Sequence, residues 1–174
     1  MVGGLLAILI VYLSLLATSA PMSTTQTEPL VRAIDVLDAK GFGREAFLLR
    51  YFATFRSRDN WINTNFPPEN SFAATNFPFG IITLYPDFFD RADDDTTRAM
   101  ILLHEAQHLQ GANEATAYSY VWQNRERLGW NQLRYGTTDT YVAVDLDTRD
   151  QAPDLFTCAS NLWHDCTNDL RARR

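Results

Sequence analysis

The chain opens on an apolar run from Val2 to Ala17, broken only by Ser14, and turns polar from Pro21 to Glu28. The run falls between the core of a secretory signal and the roughly 20 residues that cross a bilayer. No lysine or arginine precedes it, and Thr18-Ser19-Ala20 offers small residues for cleavage just ahead of Pro21. Residues 1–20 are therefore expected to be a signal peptide or an N-terminal membrane anchor, residues 21–29 a linker, and residues 30–174 the folded domain. A location follows from this: export, with the domain periplasmic, extracellular or membrane-anchored outside the cytoplasm.

Beyond the linker, Leu30 to Lys40 repeats apolar residues at helical spacing through Leu30, Ile34, Val36 and Leu37 and stops at Gly41. Arg44 to Phe55 continues as a second, more aromatic helix. From Ser57 to Phe79 the chain is rich in Asn, Pro and aromatic residues, the mark of a long loop; its aromatics serve as satellite core or as one wall of a substrate cleft. Gly80 to Tyr85 reads as a strand ended by Pro86, and a helix follows from about Thr96 to Gln110, with Asp93-Asp94-Asp95 supplying its cap. Glu114 to Leu128 forms the next helix, ended by Gly129. Thr140 to Leu146 alternates Tyr141, Ala143 and Asp145 with Val142, Val144 and Leu146, as a half-buried strand would. Thr148 to Pro153 is polar and loop-like, and the tail packs a short helix back on the domain. The expected class is α+β, mainly helical with a small sheet.

At 174 residues the length suits one domain, and 13% aromatic content can build a substantial core. The net charge of −6 and the lack of a long Lys/Arg block argue against nucleic-acid binding. Cys158 and Cys166 fit export, since a short disulfide loop between them would contribute about 2–3 kcal/mol in an oxidising compartment.

The chemistry concentrates in His104-Glu105-Ala106-Gln107-His108, which uses two of the chain's three histidines. On a helix the two imidazoles share a face and reach one metal ion, with Glu105 beside them. A catalytic zinc takes three protein ligands and leaves a fourth position for water, whose pKa falls from about 15.7 towards about 7. Glu105, not itself a ligand, would take the proton of that water and pass it to the leaving amine. Glu114 is the best third ligand, because Gly111 can end the first helix in a left-handed conformation and Asn113 can cap the next. Asp93, Asp94 and Asp95 lie about three helical turns before His104, roughly 14 Å or more, too far for the same ion. Glu126 stands three turns down the second helix. The expected site is one Zn²⁺ held by His104, His108 and Glu114, with Glu105 as general base.

His104-Glu105-x-x-His108-x-x-Gly111-x-x-Glu114 resembles the zincin metallopeptidases. Its spacing follows the metzincin pattern with glutamate in place of the third histidine. The glutamate opening a helix in Asn113-Glu114-Ala115-Thr116-Ala117 is similar to the gluzincins. Ile81 to Phe89, leading to Leu102-Leu103-His104-Glu105, resembles the deuterolysin-like aspzincins, in which a Gly-x-x-Asp-x-x-Tyr segment carries an acid ligand and an oxyanion-stabilising tyrosine. This chain has Glu114 for the aspartate and Tyr118 one position later than that tyrosine, with Tyr135 and Tyr141 as other tyrosines for the role. The resemblance covers about residues 79 to 125. It implies a small zincin-like fold with a sheet beside the active-site helix, and a peptidase that pairs a peptide or protein substrate with a strand edge. By resemblance that edge falls to the strand of Gly80 to Tyr85.

Two other readings use the same residues. One is a catalytically inactive, zinc-stabilised binding or scaffold domain of the cell envelope, against which Glu105 argues, because a purely structural site needs no general base. The other is an amidase acting on cell-wall peptides.

Overall fold

A computed structural model describes residues 2–65, 71–157 and 165–167. In chain order the elements are α1 (Val2–Thr18), β1 (Ala20–Pro21), α2 (Thr24–Ala39), α3 (Gly43–Tyr51), β2 (Thr54–Arg58), β3 (Ala73–Asn76), β4 (Ile81–Leu84), α4 (Pro86–Asp90), α5 (Asp95–His108), α6 (Glu114–Leu128), α7 (Gln132–Tyr135) and α8 (Asp139–Gln151). Short 3-10 turns occupy Asn63–Asn65 and Pro153–Phe156. The domain is α+β, mainly helical with one small mixed sheet, as expected.

The centre of the molecule is α5. Its Ala99, Leu102, Leu103 and Ala106 are fully buried, because apolar residues at this spacing face the sheet and the neighbouring helices together. It packs between α2 and α6, and Leu30, Ile34 and Leu37 of α2 and Val121, Trp122 and Leu128 of α6 share its core. Asp94 caps α5 by accepting from the Thr97 backbone N–H at 2.9 Å, the role expected of the aspartate run.

The sheet order is β1-β2-β4-β3. β2 and β4 run parallel, with Phe55 opposite Ile82, while β1 and β3 pair antiparallel on the two outer sides. One face carries Phe55, Ile82 and Leu84 into the helical core, and Thr75, opposite Ile82, shares that face. The other face carries Thr54, Arg56, Ile81 and Thr83, by alternation.

Several expectations from sequence are corrected. The Gly80–Tyr85 strand exists as β4, but it lies inside the sheet, and the edge strand next to it is β3. β3 arises within the span expected to be a loop, because its four residues gain strand structure by pairing with β4. The linker expected at 21–29 is structured: Pro21 lies in β1, and α2 starts at Thr24 under a capping box made by Ser23 and Gln26. The second helix ends at Tyr51, and Thr54–Arg58 turns into β2. Thr140 to Leu146 is part of α8, not a strand: Thr140, Tyr141, Val144 and Thr148 form its buried stripe at helical spacing, while Val142 and Leu146 face solvent. Cys158, and with it the Cys158–Cys166 pairing, falls outside the described residues. No helix among the described residues is long and apolar enough to cross a membrane.

Candidate metal centre

Three side chains predicted from sequence come together. The Nε2 atoms of His104 and His108 lie 2.9 Å apart at the end of α5. Glu114, in the first turn of α6, approaches them with Oε2 at 3.2 Å from His104 Nε2 and Oε1 at 3.4 Å from His108 Nε2. One ligand atom from each residue lies within 4.8 Å of the others. Asp93, Asp94 and Asp95 stay at the far end of α5, and Glu126 lies three turns along α6, so none joins the group.

The turn between α5 and α6 explains the convergence. Gly111 takes a φ of +82°, a left-handed conformation that suits glycine and ends α5, and Asn113 caps α6 by accepting from the Thr116 N–H at 2.9 Å. The reversal brings the first turn of α6 back over the histidine face.

The chemistry of this donor set fits a divalent cation. His108 Nδ1 lies 2.9 Å from the Ala112 carbonyl oxygen, which only accepts, so Nδ1 carries the proton and the neutral ring presents the Nε2 lone pair to the group. Two imidazole nitrogens and a carboxylate facing one another at these distances repel unless a positive charge sits among them. Two histidines and one glutamate are a zinc donor set of the catalytic, three-ligand kind.

Without metal, a proton supplies that charge. Burial pulls the His108 pKa down, but the hydrogen bond with Glu114, helped by the charge of Glu105 and the Ala112 carbonyl, outweighs it and pushes the value up to about 9. Glu114 moves the other way: its bonds with His104, then His108, hold its carboxyl well below the ordinary carboxylate range.

Glu105 is 5% exposed and does not belong to the ligand group. Its Oε2 accepts a hydrogen bond from the Thr75 hydroxyl on β3 at 2.7 Å. The two residues face a cleft of about 480 Å³ whose walls are β3 on one side and Met100, Val121 and Val144 on the other. The edge strand β3 therefore lines the same cleft as His104, His108 and Glu114.

Of the three tyrosines considered from sequence, Tyr118 alone lines this cleft. Its ring packs edge-on against His104 with centroids 4.6 Å apart, and its hydroxyl donates to Asp147 Oδ2 at 3.3 Å. Burial, then the Asp147 charge, raises its pKa, so it remains a neutral phenol. Tyr135 donates to Asp94 Oδ2 at 2.7 Å, at the opposite end of α5, and Tyr141 is buried against Trp122 and Trp130. Neither belongs to the cleft. Sequence reasoning missed Thr75 and Asp147, which reach the site through elements it had read as a loop and as a strand followed by a loop.

No family model, curated protein or solved structure matches this chain.

Proposed function

We propose that this protein is a zinc-dependent peptidase of zincin type, with His104, His108 and Glu114 as metal ligands and Glu105 as general base. The observation that carries the reading is the meeting of two imidazoles and a carboxylate beside a buried acid that is not one of them. A zinc ion held there supplies Lewis acidity at neutral pH.

The chain's own residues do the rest. With Oε2 engaged by Thr75, Glu105 uses Oε1 to take a proton from the attacking water and later gives it to the leaving amine. The Thr75 bond holds the carboxylate in one orientation between strand and cleft, so little ordering remains at the moment of reaction. Among the described residues no strand pairs with the outer side of β3, so an extended peptide can align there, next to the site that would cut it. Tyr118 fixes the His104 ring by contact and stays neutral.

The test is metal content together with hydrolysis of an unstructured protein and of cell-wall peptides. The expected result is one zinc per chain and cleavage of the unstructured protein, reduced about 10²–10⁴-fold by Glu105→Gln with zinc content unchanged. Zinc without cleavage, and no response to Glu105→Gln, would leave a zinc-stabilised scaffold. Cleavage confined to cell-wall peptides would make the enzyme an amidase.

A further inference from the structure

The second face of the sheet leads away from the cleft, to α1. This helix meets β2 in the same order along both segments: the Tyr12 and Thr54 hydroxyls are 3.4 Å apart, Arg56 donates to the Leu16 carbonyl at 3.2 Å, and Ala20 pairs with Arg58 in the sheet. Trp61 adds a bond from its indole N–H to Ser14 Oγ at 3.1 Å. Thr54 and Arg56 belong to the face that points away from the helical core. Leu15 of α1 and Ile81 of β4 are fully buried yet lie outside the main core cluster. Together they form a second, smaller core. The last turns of α1 and the β1 dipeptide are thus parts of the fold.

The other end of α1 is different. Leu5, Leu6, Ile8, Leu9, Ile10 and Leu13 are all between 49% and 69% exposed. Residues 3–10 are all exposed, so the helix is bare and apolar on every side there, and Val2–Thr18 contains no charged residue. A protein groove covers one stripe of a helix; a helix apolar all round asks for an apolar medium on every side. Because α1 runs in the same direction as β2 and its Tyr12 already lies at Thr54, this end projects past the start of β2. There α3 leaves a second exposed apolar group, in which the Phe47 ring lies 5.0 Å from Tyr51 and 5.7 Å from Phe52, with the three residues 51%, 71% and 63% exposed. Exposed aromatics at the base of an apolar helix, here with Tyr12 and Trp61 on its flank, match the level at which a membrane places its aromatic belt.

We infer that α1 is a retained, lipid-inserting anchor: its docked end is never removed as a signal peptide, and its free end enters a bilayer with the Phe47–Tyr51–Phe52 group at the interface. At about 1.5 Å per residue, α1 is roughly 25 Å long, short of the roughly 30 Å hydrocarbon layer, and its last turns are occupied by the sheet. Over Val2–Thr18 it therefore reaches into the bilayer from the side on which the domain sits. Since α1 is anchored through β1 and β2 while the cleft lies at β3, the sheet order keeps the candidate metal centre at the edge opposite the anchor. This assignment does not depend on the peptidase reading.

The experiment uses the full chain. Its intact mass after expression, and its flotation with phosphatidylcholine vesicles at low salt and at about 1 M salt, are the readouts. The expected results are a mass that includes residues 2–20 and co-flotation that salt does not reverse. Leu5→Lys with Leu9→Lys should lower the floated fraction about tenfold or more, and Phe52→Ser should lower it less. Both sets of residues are exposed, so thermal unfolding should match the parent in each variant. A folded product whose mass begins after Ala20, a parent chain that stays with the soluble fraction, or a double-lysine variant that floats like the parent would each overturn the inference.

Discussion

The two halves of the candidate metal centre are held by different means. His104 and His108 rise from α5, whose inner face is fully buried, and their side chains are only 14% and 15% exposed. Glu114 stands at the start of α6 with a side chain 58% exposed, and its direction is set by the Gly111 turn and the Asn113 cap. The imidazole pair is positioned by packing, whereas the carboxylate is positioned by local backbone geometry. Core packing is worth several kcal/mol per large side chain and a cap about 1 kcal/mol, so the two halves should fail differently.

The largest effect separates them directly. Removing an outer-shell partner of a metal ligand typically costs about 10–100-fold in affinity, so removing a ligand should exceed that. His108→Ala is expected to bring activity to background and weaken zinc binding by more than ~100-fold. Glu114→Ala should retain more affinity, since an exposed carboxylate is replaced by solvent at lower cost. A competition titration with a zinc chelator measures both. Equal losses would put the three ligands on the same footing and break the comparison.

Packing can be tested without touching a ligand. Leu102 is fully buried two residues before His104, and Leu102→Ala should destabilise the protein by about 2–5 kcal/mol, read from urea unfolding of the metal-free protein. Leu15 is equally buried but belongs to the small core on the other side of the sheet. Leu15→Ala should also destabilise, towards the lower end of that range, and should leave zinc affinity within a few-fold of the parent. If Leu15→Ala weakened zinc as much as Leu102→Ala, the sheet would be transmitting strain between its faces.

The same division explains what was legible in the sequence. His104, Glu105, His108, Gly111, Asn113 and Glu114 interact within one helix, one turn and one cap, so spacing alone places them. Thr75 and Asp147 do not announce themselves, because each reaches the cleft through tertiary contacts. β3 is four residues long and owes its form to β4. In α8 the buried stripe includes two threonines, which a hydropathy pattern counts as polar. Thr148 satisfies its hydroxyl on the Val144 carbonyl at 2.6 Å, so it can be buried. With those threonines discounted, the exposed Val142 and Leu146 created a false alternation. The start of α2 was readable from Ser23 and Gln26, but the polar run around them looked like a linker.

Acid and base should act oppositely on stability and on metal binding. The His108 pKa rises from 6.5 to about 9 in the fold, so the stability it contributes is fully present below pH 6.5 and is lost as pH rises through about 9. Glu114 is shifted down from 4.5, so its contribution is present above pH 4.5 and lost only as pH falls through its depressed value. The metal-free protein should therefore gain most from the pair between pH 4.5 and 6.5. Zinc must displace the His108 proton, so its apparent affinity should rise with pH up to about 9. Between pH 7 and 9 the expected gain is about 100-fold, with proton release seen in calorimetry across buffers. An affinity flat over that range would remove the proton from the metal-free site.

The smallest effects isolate the carboxylate. Asn113→Ala removes the acceptor for the Thr116 N–H and should cost about 1 kcal/mol of stability. Gly111→Ala should cost about 1–2 kcal/mol, because a side chain at φ +82° is strained and its Cβ would meet the Phe77 ring at 3.3 Å. Neither residue lies within α5, although Gly111 donates its N–H to the His108 carbonyl at 2.9 Å, so the imidazole pair should largely persist and zinc affinity should fall by less than the loss caused by Glu114→Ala in the same chelator titration. Asn113→Asp supplies the decisive control. It keeps a capping oxygen, adds favourable charge at the N-terminus of α6 and should restore both stability and affinity. If it restored stability but not affinity, Asn113 would be acting on the metal centre by some route other than the cap, and the carboxylate would no longer be the half of the site governed by backbone geometry.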